Sequence, residues 1–123
     1  MIQFVVWMDS EKAQLFNMKS SGVERSHVNI HGADHHTRHK KDLHEVAHLE
    51  NFYRDLALRL KDADQILILG PGLSKNHFKT YLETHHTASL ASKIAGLENS
   101  DHPTDNQIIA SAKKFFKPEF VAK

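Results

Sequence analysis

His44-Glu45-Val46-Ala47-His48 is a literal H-E-x-x-H string. On a helix its two histidines would share a face as a zinc pair, with the glutamate between them as general base. The surrounding pattern argues against that chemistry. At helical spacing the apolar stripe centres on Leu49, Tyr53 and Leu60. His44 and His48 fall more than about 100° from that centre, beside Asn51 and Asp55, so they face water rather than a cleft. The following residues, LENFYRD, bring neither the glycine nor the third histidine of the extended motif. Histidine is also abundant: 11 in the chain, six of them within 31–48, so composition alone makes such a string easy to meet. We therefore expect no catalytic residue, no cofactor and no catalytic metal, with His44 and His48 as the zinc-peptidase alternative.

Two other segments carry anion chemistry. Gly70-Pro71-Gly72-Leu73-Ser74-Lys75 joins an apolar run to a helical pattern. The free amides of a helix N-terminus favour anions, and Lys75 and Lys79 stand near that end. The spacing is not that of a Walker loop. Residues 31–41 (HGADHHTRHKK) place Arg38, His39, Lys40 and Lys41 in a polar stretch suited to a phosphate backbone, although Asp34 and Asp42 dilute its charge. No nucleophile–histidine–acid arrangement stands out.

The elements that must position these residues follow from periodicity. Residues 2–8 (IQFVVWM) are apolar on both faces and predict a central strand. Asp9-Ser10-Glu11 predicts a turn, and residues 12–18 the hairpin partner. Residues 23–30 alternate, with Ser26, Val28 and Ile30 on one face, as in a half-buried edge strand. Asp42 is placed to cap a long helix to about Asp62, with Glu45 completing a capping box and Val46, Leu49, Tyr53, Leu56 and Leu60 as its stripe. Residues 65–69 (QILIL) predict a parallel strand covered on both faces. Ser74 is placed to cap a second helix to about Thr84, with Phe78, Tyr81 and Leu82 inward. Residues 90–97 (LASKIAGL) predict a fifth strand. Thr104 and Gln107 mark the start of a last helix, with Ile108, Ile109, Ala112, Phe115 and Phe116 inward. The tail at about 118–123 is expected to be loosely held.

The 123 residues suit one domain spanning 1–123. Without cysteine there is no disulfide and no thiolate chemistry. No apolar run approaches the roughly 20 residues of a membrane span, and no signal peptide is apparent. A cytoplasmic location is expected, with no membrane contact. A formal charge of +1 gives no global pull on polyanions, so any such binding is local. The order β-β-β-α-β-α-β-α matches a ribonuclease-H-like α/β fold with a mixed five-stranded sheet and helices packed on it. The metal-dependent nucleases of that fold need acidic residues on the first strand, first helix, fourth strand and last helix to hold two metal ions. Asp9 lies at the end of the first strand rather than its middle, and Glu45 or Glu50 could serve on the helix. The fourth strand ends in Gly70-Pro71-Gly72, and the set is incomplete.

Phe4-Val5-Val6-Trp7-Met8-Asp9, Ala13-Gln14-Leu15-Phe16, and Leu67-Ile68-Leu69-Gly70-Pro71-Gly72 with Lys75 and Phe78 together resemble the central domain of archaeo-eukaryotic class 1 release factors and Pelota. Residues 101–110 (DHPTDNQIIA) resemble small bacterial proteins labelled translational machinery proteins. The resemblance implies a translation-associated module. Release factors hydrolyse peptidyl-tRNA with a Gly-Gly-Gln loop between the third strand and the long helix. Here that interval is HGADHHTRHKK, so hydrolysis does not carry over. What the resemblance leaves is a non-catalytic factor binding the ribosome, rRNA or tRNA, with Arg38, His39, Lys40, Lys41, Lys75 and Lys79 as its RNA contacts. The alternatives are the zinc peptidase and a protein-binding adaptor without an RNA role.

Overall fold

A computed structural model describes residues 1–30, 41–85 and 88–116; the side chains of residues 41–48 and 88 are outside the description. The elements are β1 (Gln3–Met8), β2 (Lys12–Lys19), β3 (Gly22–Asn29), α1 (Lys41–Arg59), β4 (Gln65–Gly70), α2 (Ser74–Thr84), α3 (Ala88–Ala91), β5 (Ile94–Asn99) and α4 (Asp105–Phe115). Among the described residues the strands form one five-stranded sheet in the order β3-β2-β1-β4-β5. The first three are antiparallel, and β4 and β5 run parallel to β1. This is the mixed α/β arrangement that the element order predicts. Among the described residues no helix is long and apolar enough to cross a membrane.

β1 is central because both of its faces are apolar. Val6 and Met8 point to one side and Val5 and Trp7 to the other, all at most 2% exposed. β4 repeats the pattern, with Ile66 and Ile68 opposite Leu67 and Leu69. The first face is covered by α1 and α2 through Phe52, Tyr53, Leu56, Leu60, Phe78 and Leu82. The second is covered by α4 through Ile108 and Ala112. Removing each such side chain from water contributes about 1.5–3 kcal/mol before conformational entropy is counted. β3 is an edge strand, exposed along most of its length, with Val28 turned into the core.

The expected stripe on α1 is present at Tyr53, Leu56 and Leu60, with Leu49 packed on the same cluster; Val46 lies outside the described side chains. The capping box of α4 is complete: Gln107 N donates to Thr104 Oγ1 (3.1 Å) and Thr104 N to Gln107 Oε1 (2.9 Å). Three expectations are corrected. First, α1 ends at Arg59 rather than Asp62, because Leu60 N already closes on both Leu56 O and Ala57 O. Second, Ser74 is the first residue of α2 and not its cap; Leu73 holds the cap position and makes no side-chain cap bond. Third, β5 starts at Ile94, and Ala88–Ala91 is a helical turn instead of strand. Leu90 and Ala91 are buried, so their apolar signal is real, but it comes from packing under α3. Gly96 suits β5 because Phe115 lies against it: a Cβ there would sit 2.8 Å from that ring. The expected loose tail at 118–123 lies outside the described residues.

Candidate nucleic-acid interface

The carboxyl ends of β1, β3, β4 and β5 point to one end of the sheet, where ligands bind in many open α/β sheets. Asp9 shapes the first turn there. Its Oδ1 accepts from Glu11 N (2.8 Å) and Lys12 N (3.0 Å), so this carboxylate is committed to the hairpin. Ile30 N donates to Glu11 O (2.8 Å), which ties the exit of β3 to that turn. The basic segment leaves from Ile30 and rejoins the structure at Lys41, the first residue of α1.

The β4–α2 turn is built on a close approach. Gly70 (φ 154°) has no room for a Cβ, which would run into the Met8 carbonyl. The carboxylate that a nuclease needs at the end of this strand is therefore sterically impossible at Gly70. Gly72 (φ 64°) takes the left-handed conformation that glycine adopts without strain. Across the turn, Ser100 N donates to Gly70 O (3.2 Å) and Trp7 Nε1 donates to Ser100 O (3.0 Å). The Trp7 ring is flanked by His102 at 5.4 Å, and the Lys12 ammonium lies 6.0 Å from its centroid.

Lys75 is 4% exposed. Its Nζ donates to Gly72 O (2.7 Å) and Asn99 Oδ1 (2.8 Å). A lysine ammonium has three donors and loses much of its solvation when buried, so these two acceptors hold it in the interior. This departs from the expected display of Lys75 toward phosphate. The stem folds back to the carbonyl three residues earlier and clamps the turn to the end of β5. Lys79 lies one turn further along α2 and is half-buried. Asn76 N and His77 N are both taken by Leu73 O (3.0 and 2.9 Å), so the first turn of α2 offers fewer free amides than its position suggests.

The remaining candidates stand as follows. Arg38, His39 and Lys40 lie outside the described residues, and the side chains of Lys41, His44, Glu45 and His48 lie outside the described side chains. Glu50 is exposed on α1. Among the described residues no group of three or more His, Asp or Glu side chains is placed to hold a metal ion. Sequence reasoning missed Asn99, Ser100 and the part played by Trp7. Their roles arise from contacts 24 and 93 residues apart in the chain, which no local pattern signals.

No family model matches the chain. It is 30% identical to the Pelota homolog of Methanococcus vannielii over 99 residues, which are 80% of this chain and 27% of that protein. The fold matches the crystal structure of Archaeoglobus fulgidus Pelota with a TM-score of 0.68 at 14% identity, over 98% of this chain and 33% of that one. The chain is a Pelota-like domain. Thermoplasma acidophilum Pelota gives a TM-score of 0.62 at 22% identity, over 93% of this chain and 32% of that one. An archaeal translation termination factor gives 0.62 at 11% identity, over 94% and 34%. The Pelota-like domain thus spans about a quarter of its curated relative and about a third of these structures. The sheet that carries the Gly70 turn and the Lys75 clamp lies within this matched fold.

Proposed function

We propose that this Pelota-like domain is a translation-associated, non-catalytic module that contacts the ribosome or structured RNA, rRNA or tRNA, in the cytoplasm. The carrying observation is the anchoring of the basic segment. Its first end, Ile30, is tied to the Asp9 turn at the sheet end that also carries the Gly70 turn, and its second is Lys41, the first residue of α1. The likeness to Pelota and to a termination factor supplies the context. Arg38, His39, Lys40, Lys41 and Lys79 make the phosphate contacts in this reading, while Lys75 holds the turn beside them. HGADHHTRHKK contains no Gly-Gly-Gln, which supports a role without hydrolysis.

The test is ribosome co-sedimentation together with tRNA titration across a salt series. Four permanent cations on phosphates give a log–log slope of about −3 to −3.6, and each of Arg38→Ala, Lys40→Ala and Lys41→Ala lowers it by about one unit. Binding strengthens below about pH 6.5 as His39 and its neighbours charge. Absence of binding at low salt, or an unchanged slope in the Lys40/Lys41 double Ala variant, would favour the protein-binding adaptor.

A further inference from the structure

A second surface lies at the other end of the molecule. α1, the end of α2 and α3 line an open cleft of about 470 Å³. Its floor is apolar: Ala57, Leu90, and Leu58, which is 60% exposed. Its rim is cationic: Arg54, Lys61 and His85 line it, and no carboxylate does among the described residues. Asp55, next to Arg54 on α1, is ion-paired to Arg59 (3.3 Å). The His85 ring is stacked on Tyr81 at 4.1 Å and 19°. His85 Nδ1 lies 3.0 Å from Tyr81 O and 2.9 Å from Thr84 Oγ1, which fixes the ring beside the cleft.

We propose that this cleft docks an acidic amphipathic segment of a protein partner, with leucine-like side chains over Leu58 and Leu90 and carboxylates against Arg54, Lys61 and His85. Charge and shape both select this occupant. A phosphate backbone gains nothing from an exposed leucine on an apolar floor, and the Tyr81 ring is already engaged by His85 and by Tyr53 at 5.3 Å rather than free for a base. Helical walls around an apolar floor are the receptor geometry for a helix laid in a groove. Arg54 lies about 20 Å along α1 from Lys41, at 1.5 Å per residue, and none of the residues assigned to phosphate contact lines the cleft.

The probe is an acetylated, amidated helical peptide with Leu at i, i+3, i+4 and i+7 and Glu elsewhere. Its binding is followed by polarisation and by backbone amide shifts of the intact chain. Shifts centred on Leu58, Ser89 and Leu90 are expected. Affinity is expected to fall at least tenfold in Arg54→Glu/Lys61→Glu and in Leu58→Ser, and the peptide with Lys in place of Glu should not bind. Both changes are at the surface, and the dispersion of each variant's amide spectrum checks its fold. Should the charge reversal unfold the chain, Arg54→Gln/Lys61→Gln keeps the side-chain stems and should still weaken binding severalfold. Three results overturn the proposal: no shifts at these amides at millimolar peptide, equal binding of the Lys peptide, or the same shifts produced by a uridine-rich RNA oligomer. Ribosome co-sedimentation of the same variants should be unchanged, which separates this proposal from the RNA reading.

Discussion

The Lys75 ammonium, bonded to Gly72 O and Asn99 Oδ1, shows how one side chain is misread when its partners are remote. Glycine, serine and lysine at a strand-to-helix turn look like an anion site in sequence. The asparagine that draws the lysine inward is 24 residues away. Lys75→Met keeps the apolar stem but leaves two acceptors unsatisfied, at a cost of about 1–3 kcal/mol in urea denaturation. The salt slope of RNA binding should stay as it is, because no phosphate contact is lost. Tyr53 offers a second test. Burial raises its hydroxyl above the ordinary value of 10.0. The unfolded chain releases that proton near pH 10 while the folded chain keeps it, so the folded state binds more protons there. The contribution is fully present below pH 10 and is lost as pH rises through the higher folded value. Tyr53→Phe should therefore flatten the alkaline fall in stability, measured as denaturation midpoints between pH 9 and 11.

Elements with a strong local signal were legible in the sequence, and those decided by packing were not. α4 announces itself through Pro103, Thr104 and Gln107, and the structure completes that box. Thr104→Ala should cost about 0.5–2 kcal/mol, the usual loss on removing a helix cap. The α1 stripe was equally readable, since Tyr53, Leu56 and Leu60 recur at helical spacing and all turn to the sheet. Phe52 is buried beside Tyr53 and broadens that stripe. Leu56→Ala should cost about 2–5 kcal/mol, against near neutrality for Leu58→Ala two positions on, because one fills the core and the other faces the cleft. α3 and the start of β5 were not readable: LASKIAGL is apolar enough for a strand, and only the turn closed by Lys93 N on Leu90 O splits it. The same holds for the cleft, whose lining comes from three helices and has no motif of its own.

Across the whole molecule the parallel strands impose a polarity. Their carboxyl ends gather the Asp9 turn, the Gly70 turn and the start of the basic segment, while α1 carries the chain about 28 Å, 19 residues at 1.5 Å each. None of the residues assigned to phosphate contact lines the cleft, and a packed sheet separates the two ends. Substitutions more than about 7–10 Å apart without shared partners act additively within about 0.3–0.5 kcal/mol. This gives a decisive combined experiment. Lys40→Ala/Lys41→Ala should weaken tRNA binding and leave the acidic peptide's affinity alone, and Arg54→Glu/Lys61→Glu should do the reverse. The quadruple variant should show the sum of the two losses and no more. Saturating peptide should leave the tRNA affinity within twofold at fixed salt, since independent sites have no coupling free energy. A larger change, in either direction, would mean that the two ends communicate or that the peptide and the RNA share one surface, and the two-surface description of this domain would then have to be abandoned.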